Sequence, residues 1–356
     1  MASWLSFKHP PSSGDGDHGT RLVLALSVLA AGLMVLASRR ERPGVGRLIL
    51  VLPYMVVGLF VPLIVSREQV VARAVLAGQF AWWSNFKVLA FSFGRGPLTL
   101  VDQDLVSFAM VLLLPFSPRP GKDKAGGHPL RDQLAEYGGK VIAKGIVLCG
   151  VVSLLSKNSY NRYVMDFIFC FGLYALLGIV EDGLGCISAT VLNNLPVERS
   201  FQLFYASASL REFWSLRWNQ HVAKLLKVVV YDPIMEGELV RKGTAKQRRR
   251  RSLGRTSLAT LACFAMSGIM HEVCFAYVSG GVVTWSWLKY FSFQGFYVLA
   301  ESLLHKRFGK PPKAFAIPVT LSFLLYTGEA HFFKPLRDHG IDMAIVNNIA
   351  GLLERL

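Results

Sequence analysis

The strongest constraint on this chain is a series of apolar stretches whose lengths approach the thickness of a bilayer. A transmembrane helix needs about 20 apolar residues, within a range of about 17–25. Eight stretches come near this length: residues 22–38, 48–65, 74–93, 141–156, 163–180, 256–278, 285–304 and 314–328. Only 17% of the residues are charged, against roughly a quarter in soluble domains. These patterns predict an all-α integral membrane protein with about eight transmembrane helices.

The stretches predict one membrane domain, residues 21–356, preceded by a mobile polar N-terminus, residues 1–20. The first stretch has no basic region before it and no small-residue cleavage site after it, so we interpret it as a retained span. A further apolar run, 105–116, is too short to cross a bilayer and ends near Pro115. We expect this run to re-enter the membrane or to lie in the interface.

The formal charge of +16 is interpreted as membrane topology rather than nucleic-acid binding, because Lys and Arg concentrate in cytoplasmic loops. Without the long loop 181–255, alternate loops carry 14 Lys and Arg on one side and 9 on the other. This bias predicts a cytosolic loop 181–255 and both termini on the opposite side. Within the loop, LREFWSLRWNQHVAKLLKVVVYDPI predicts an amphipathic interfacial helix that ends at Pro233. The basic run Arg248–Arg251 follows it.

Several familiar site motifs are absent or unconvincing. The five cysteines form no C-x-x-C pair, so no zinc site or disulfide framework is predicted. The H-E-x-x-H motif of zinc proteases fails because Phe275 replaces the second histidine. His128 and Asp132 fit H-x-x-x-D, but in a Gly-rich basic loop this short pattern is readily met by chance. We predict no metal.

His271 and Glu272 lie within the apolar stretch 256–278. Ionisable residues inside spans are costly and are therefore candidates for function. His271 lies about 22 Å from the start of the stretch, past its midpoint. Ser267 and Gly268 share its helical face, which leaves room for a substrate or a close-packed helix. A neutral imidazole at this depth is suited to general-base catalysis, and the alternative is a packing histidine. Glu272 lies off this face, so we interpret it as a structural neighbour.

The segment Phe213–Asn219, FWSLRWN, is the second constellation. On a helix, Trp214 and Trp218 would share one face. Another face would carry three polar residues: Arg211, Ser215 and Asn219. Taken alone, this pattern is more typical of an interfacial anchor with belt aromatics and a snorkelling arginine.

The third constellation is Asn85 and Lys87 in NFKVLAFSFGRGPL, late in the stretch 74–93. We expect Lys87 to snorkel to the membrane surface, where the pair would cap and anchor the helix end. Contact with an anionic ligand is the alternative.

These segments occur in a specific order: NFKVLAFSFGRGPL, then FWSLRWN followed by VVVYDPI, then SGIMHE. In this order and spacing the chain resembles the plant-type wax synthase branch of the membrane-bound O-acyltransferases, from about residue 46 to the C-terminus. PPKAFAIPVTLSFLLYTGEAHFFKP also resembles the last span of that branch. The resemblance implies a multi-pass endoplasmic-reticulum enzyme that transfers a fatty acyl group from acyl-CoA to a lipophilic alcohol. Acyl-CoA is then a co-substrate, no cofactor is expected, and the helices are expected to enclose a substrate tunnel.

The resemblance also assigns roles to residues of this chain. His271 matches the catalytic histidine, and Asn219 matches the second signature residue. We expect His271 to take the proton of the acceptor hydroxyl, and Asn219 to orient the acceptor or to stabilise the oxyanion. Six residues are expected to bind substrate: Trp214, Arg217, Trp218, Ser267, Asn85 and Lys87. Where the branch has Gly then Arg after Phe-Trp, this chain has Ser215 and Leu216, which leaves substrate preference open.

Three alternatives remain open from the sequence. The acceptor could be a sterol, or diacylglycerol with an acetyl donor. A proton-coupled transporter would use His271 and Glu272 as a relay, with Asp166, Lys144, Lys289 and Glu301 as the other intramembrane ionisable groups. A membrane scaffold would bind anionic lipids through Arg248–Arg251. The sequence fixes neither the acyl chain length nor the oligomeric state.

Overall fold

The computed structural model describes residues 14–118, 130–157, 160–191, 199–241 and 252–355. Within these ranges the chain is helical and forms no β-strand. The helices are α1 Gly14–Ala37, α2 Val45–Phe60, α3 Val70–Leu76, α4 Asn85–Ser92, α5 Leu105–Leu113, α6 Leu130–Ser156, α7 Arg162–Val191, α8 Leu210–Glu212, α9 Gln220–Leu226, α10 Asp232–Glu236, α11 Leu253–Val278, α12 Ser286–Phe308, α13 Lys313–Gly328, α14 Lys334–Asp338 and α15 Ile341–Leu353.

Wider π-helical turns interrupt several of these helices. They lie at Ala77–Ser84, Phe213–Arg217, Lys227–Tyr231 and Glu329–Phe333. A π turn carries one residue more than an α turn and is frequent at functional sites. Three of the four, Ala77–Ser84, Phe213–Arg217 and Glu329–Phe333, contribute side chains to the candidate active site.

Each of the eight predicted stretches lies on a helix, which confirms the all-α membrane architecture. Among the described residues, four helical segments are long and apolar enough to cross a bilayer: Val45–Ile64, Leu130–Ser156, Arg162–Val191 and Leu253–Val278. The count of eight spans therefore stays a prediction. The short run 105–116 forms only the nine-residue helix α5.

Helices α6 and α7 form an antiparallel pair, and glycines of α7 let the two helices approach closely. Gly172, Gly178 and Gly185 lie along α7, and a Cβ atom at any of them would come within 2.8 Å of an α6 side chain. The α6 side chains that fill these notches are Val151, Lys144 and Tyr137, in that order. Small residues let helices approach closely inside a membrane. Lys144 also pairs with Asp182 of α7, with 2.6 Å between Nζ and Oδ2.

The segment 210–236 is not the single interfacial helix expected from its sequence. The helix breaks at Trp218, whose backbone is extended, and at Asn219, whose φ of +39° is left-handed. Pro233 does not end a helix either, because it lies in the first turn of α10, and the chain turns only at Gly237, with φ +74°. Both expectations were wrong because a proline in the first helical turn loses no hydrogen bond and because asparagine tolerates the left-handed region.

Three predictions fall wholly or partly outside the described residues. Helix α1 begins at Gly14, and residues 1–13 of the predicted polar N-terminus are not described. The motif residue His128 and the basic run Arg248–Arg251 also lie outside the described ranges.

Candidate active site

His271 is positioned by the close packing of α11 against α12. A Cβ atom at Gly268 would lie 2.9 Å from the Cα atom of Leu288, and one at Gly295 would lie 2.9 Å from Cβ of Phe264. Each glycine therefore receives the other helix, in the manner of membrane helices that pack through small residues. The small face predicted beside His271 serves a close-packed helix here.

One nitrogen of the His271 ring is held by its own helix. Nδ1 lies 2.7 Å from the carbonyl oxygen of Ser267 and 3.4 Å from its hydroxyl oxygen. A carbonyl oxygen only accepts hydrogen bonds, so we assign the proton of the neutral ring to Nδ1. This leaves Nε2 unprotonated. The arrangement presents a base whose orientation is fixed by the backbone, as a general base requires.

The ring of His271 is enclosed by aromatic side chains from three parts of the chain. Phe291 of α12 stacks on it, with 3.9 Å between ring centroids. Trp82, from the π turn Ala77–Ser84, lies edge-on at 4.8 Å. Trp287 of α12 and Phe332, from the π turn Glu329–Phe333, lie at 5.9 and 6.4 Å. We name these four rings the aromatic enclosure. It gives the imidazole an apolar setting with few competing hydrogen-bond partners.

Glu272 has a structural role that explains its place beside His271. Its carboxylate accepts hydrogen bonds from the backbone N–H groups of Thr284 and Trp285, both at 2.6 Å, and from that of Trp287 at 3.1 Å. These groups lie at the start of α12, where helical N–H groups lack partners and the helix dipole favours a negative charge. Glu272 thus caps α12 and fixes the connection between the two helices of the site.

Trp214 reaches the aromatic enclosure, and its predicted binding of substrate stays a prediction. Its ring lies 5.5 Å from Phe291, which stacks on His271. Its Nε1 donates to Oε1 of Gln294 at 3.2 Å, and Nε2 of Gln294 donates to Thr327 at 3.0 Å. Gln294 is fully buried. Trp214 is therefore anchored to α12 and α13.

The segment that carries Trp214 is docked on α12 by a second polar contact. The carboxylate of Glu301 accepts from the backbone N–H groups of Leu210 and Arg211, at 2.8 and 3.2 Å. This contact satisfies N–H groups that α8 cannot bond internally.

Trp218 and Arg217 point away from the aromatic enclosure. Trp218 stacks on Phe213 with ring planes 12° apart and packs edge-on against Phe201 and Phe204. Phe213 also contacts Trp214 edge-on. Phe213 therefore lies between the two tryptophans, and the predicted shared helical face of Trp214 and Trp218 was wrong.

The guanidinium of Arg217 is bound within its own segment. It pairs with Glu212, at 2.6 Å from Nη2 to Oε1, and donates to the carbonyl oxygen of Leu203 at 3.1 Å. These contacts close the loop around Phe213–Arg217.

Asn219 shapes the chain next to His271. Its left-handed backbone starts α9, and its Oδ1 accepts from the N–H of Val222 at 3.3 Å. Val222 belongs to a buried cluster with Trp82 and with Met270, the neighbour of His271. In the described part of the chain no hydrogen bond joins Asn219 to His271. Its predicted catalytic role stays a prediction.

Asn85 and Lys87 lie inside the helical bundle. Asn85 donates from Nδ2 to the carbonyl oxygen of Met55 in α2, at 3.0 Å. Lys87 is only 3% exposed. Its ammonium donates to three carbonyl oxygens at the end of α5, those of Val111, Leu114 and Phe116, at 2.6–3.0 Å.

The expectation that Lys87 snorkels to the surface was therefore wrong. The carbonyl end of a helix carries unpaired acceptors and partial negative charge, which attract a buried cation. Lys87 caps α5 from the interior. The contacts of both residues are structural, and their predicted binding of substrate stays a prediction.

The sequence did not identify the four rings of the aromatic enclosure, nor Gln294. Aromatic residues make up 12% of the chain, so composition does not single out these rings. Gln294 carried a usable signal, because a glutamine within an apolar stretch must find a partner.

His221 of α9 was also missed. It is buried, and neither of its ring nitrogens has a hydrogen-bond partner. Burial, followed by the nearby charges of Lys87 and Lys224, lowers the pKa of His221 to about 3. Within the described ranges, no three His, Cys, Asp or Glu side chains form a group that could hold a metal ion.

Part of the chain matches a family model, and most of its length is similar to known proteins. Residues 197–296, which include Trp214, Asn219 and His271, match the model of the membrane bound O-acyl transferase family. The chain is 26% identical to a long-chain-alcohol O-fatty-acyltransferase of Simmondsia chinensis, over 85% of each chain. It is 28% identical to acyl-CoA–sterol O-acyltransferase 1 of Arabidopsis thaliana, over 80% of each chain. It is also 28% identical to probable long-chain-alcohol O-fatty-acyltransferase 1 of the same plant, over 82% of this chain and 83% of the relative. The chain is thus similar in sequence to the membrane bound O-acyl transferase family.

Proposed function

We propose that this protein transfers a fatty acyl group from acyl-CoA to the hydroxyl of a long-chain alcohol and so forms a wax ester. The observation that carries the proposal is the geometry of His271. Its Nδ1 is held by the Ser267 carbonyl at 2.7 Å, and its ring lies within the aromatic enclosure. The long-chain-alcohol acyltransferases among the relatives supply the substrate class.

The reaction needs one proton transfer and one exchange of bonds at the acyl carbon. Nε2 of His271 takes the hydroxyl proton as the alcohol oxygen attacks the thioester carbonyl. The bond between carbon and sulfur then breaks, and the CoA thiolate receives the proton from the imidazolium. Ester and free CoA are the products. Asn219 is the proposed donor to the developing oxyanion, a contribution of about 3–4 kcal/mol for a well-placed donor.

The apolar enclosure suits both substrates. The low-polarity walls around His271 hold the acyl chain and the alcohol away from water, which would otherwise compete as the acceptor. The polar groups left without partners near the site, Nε1 of Trp82 and both nitrogens of His221, are available to the amide-containing pantetheine arm of CoA. The basic region 199–241, with exposed Arg211, would meet the CoA phosphates. We place the protein in the endoplasmic reticulum membrane.

A sterol is the second candidate acceptor. The 28% identity to a sterol O-acyltransferase favours it, and a sterol hydroxyl would react by the same steps. In the alternative of a proton-coupled transporter, the other intramembrane ionisable groups would have to continue a relay from His271. Instead, Lys144 pairs with Asp182, Glu301 caps α8, and Glu272 caps α12.

Expression in yeast that lacks its own neutral-lipid acyltransferases tests the proposal. Cells expressing the wild type or His271→Ala are fed a fatty alcohol or a sterol, and their ester classes are separated and quantified. Wax ester formed by the wild type alone supports the proposal. Sterol ester alone would move the assignment to the second acceptor. The enzyme assignment fails if neither ester forms, or if His271→Ala retains full activity.

A further inference from the structure

A second polar site lies at the beginning of α7, outside the aromatic enclosure. A cavity of about 150 Å³ is lined in part by four charged residues: Arg162, Asp166, Arg337 and Asp342. Its other walls are apolar and include Phe169, Phe333, Met343 and Val346. At about 30 Å³ per water molecule, this volume is that of about five waters, or of a hydroxyl group with a short run of methylene groups.

Asp166 offers this cavity an acceptor without a partner. The residue is 3% exposed. Its Oδ1 accepts from Nη1 of Arg337 at 2.5 Å, while its Oδ2 is buried and has no hydrogen-bond partner. A buried carboxylate oxygen without a donor costs free energy, so such a group indicates a missing ligand or water.

The charges around the cavity decide what kind of donor fits. Arg337 already binds two carboxylates, because it donates to Asp166 and its Nη2 also donates to Glu329 at 2.8 Å. Arg162 lies 3.6 Å from the same carboxylate oxygen of Glu329. With Asp342, the cluster holds three carboxylates against two guanidinium groups. An anion is therefore disfavoured, and a neutral hydroxyl donor satisfies Oδ2 without adding charge.

The apolar walls distinguish an alcohol from water. Each water in a cavity needs two to four polar partners, whereas seven of the twelve residues that line this cavity are apolar. An aliphatic alcohol matches both kinds of lining residue, with the hydroxyl toward Asp166 and its chain toward Phe169 and Phe333.

One wall residue of the cavity is separated from His271 by a single aromatic ring. Phe333 of its wall contacts Phe332 at 5.2 Å between ring centroids, and Phe332 lies 6.4 Å from His271. Asp166 lies near the start of α7, whereas the basic region 199–241 follows its other end. Helix α7 has 30 residues and is therefore about 45 Å long. The cavity and the region proposed to meet the CoA phosphates thus follow opposite ends of this helix.

We propose that this cavity binds the acceptor alcohol before it reaches His271, with the hydroxyl donating to Oδ2 of Asp166. The inference rests on the proposed acyltransferase function and adds a separate binding site for the acceptor. The two substrates then approach His271 from opposite sides.

Steady-state kinetics of the full-length protein in microsomes test the site with two variants. Asp166→Asn keeps the size of the side chain and replaces the ionised acceptor. Met343→Trp fills the cavity and leaves the ion pairs in place. Asp166→Asn weakens the hydrogen bond to the hydroxyl, and Met343→Trp takes up the space of the alcohol, so each variant should raise the KM for the fatty alcohol about tenfold or more. The KM for acyl-CoA should stay within about twofold, because uniform binding of the other substrate is untouched.

Asn347→Trp is the matched control, since it places the same bulk at an exposed position of α15. It should leave both KM values unchanged. If wild type forms ester and both cavity variants keep the wild-type KM for the alcohol, the acceptor site is disproved while the acyltransferase function stands. Equal increases in both KM values would also overturn it, because they would indicate general disruption.

A photoreactive fatty alcohol, with a diazirine next to the hydroxyl-bearing carbon, tests binding without turnover. Label on peptides that contain Asp166 or Met343, reduced by excess unlabelled alcohol and by Met343→Trp, supports the site even if no ester forms. Label that is absent from these peptides, or insensitive to the competitor, overturns it.

Discussion

Lys87 and His271 are both basic side chains inside the bundle, and they differ in how fully their hydrogen-bonding capacity is used. Lys87 has three N–H donors and three carbonyl acceptors. His271 has Nδ1 bound to Ser267, and Nε2 makes no hydrogen bond within the described part of the chain. Lys87 is held in one place with all three of its donors used. His271 is held equally well but keeps a free lone pair.

The comparison suggests a criterion for intramembrane ionisable residues. The free-energy cost of burying such residues in a membrane marks them as important, but it does not distinguish a structural role from a catalytic one. The number of donor or acceptor positions that remain unused makes this distinction. By this criterion Glu272 has a structural role like that of Lys87, because its carboxylate is bound to the start of α12.

The largest expected effect is on His271. His271→Ala removes the proposed base and should lower the rate of ester formation about 10²–10⁴-fold. The variant also loses the contacts of the ring with the aromatic enclosure, which lowers stability, so turnover is measured per folded molecule. If the variant unfolds more readily but its folded fraction retains wild-type turnover, His271 is structural like Lys87, and the proposed difference between them is wrong.

Lys87→Met should have the opposite pattern. Methionine is similar in length but leaves three carbonyl oxygens at the end of α5 without donors, so the free energy of unfolding should fall by about 2–4 kcal/mol. Turnover per folded molecule should stay close to wild type. Lys334→Met is the control, because Lys334 is 58% exposed and its ion pair with Asp338 contributes about 0–1 kcal/mol. A raised KM for acyl-CoA without loss of stability would instead make Lys87 a substrate contact.

Glu272→Gln should lower stability by a smaller amount. The amide removes the negative charge at the start of α12 and turns one acceptor into a donor that faces N–H groups, at a cost of about 1–2 kcal/mol. Circular dichroism during heating measures the change, with Glu354→Gln at an exposed C-terminal position as the control. A loss of turnover as large as that of His271→Ala, without loss of stability, would indicate that Glu272 takes part in the reaction.

The sequence was informative where one local rule decides the outcome. Apolar length alone placed all eight predicted stretches on helices, and the depth of His271 singled it out before any contact was known. The helical face of His271 also followed from spacing, which put Ser267 beside it and Glu272 away from it.

The rest depended on contacts between residues far apart in the chain. Helical periodicity through Trp218 gave no sign of the break at Asn219. The segment is instead held by Glu301, about 90 residues later, whose carboxylate binds the start of α8. Lys87 was expected at the surface because its sequence neighbours do not reveal that the carbonyl end of α5 lies beside it. The aromatic enclosure brings Trp82 together with Phe332, 250 positions later in the chain.

The smallest expected effect is on Ser267, and it sharpens the comparison most. The sequence proposed its hydroxyl as a substrate contact, but the stronger bond to His271 comes from its backbone carbonyl, at 2.7 Å against 3.4 Å for the hydroxyl. Ser267→Ala keeps that carbonyl, so kcat and both KM values should change by less than about threefold, the effect of losing at most one weak hydrogen bond. Thr260→Val, which removes another helix hydroxyl of α11 that bonds its own backbone, is the control. A much larger loss in Ser267→Ala than in Thr260→Val would show that the hydroxyl itself contacts the substrate or the base. His271 would then depend on two partners, and the backbone alone would not suffice to orient it.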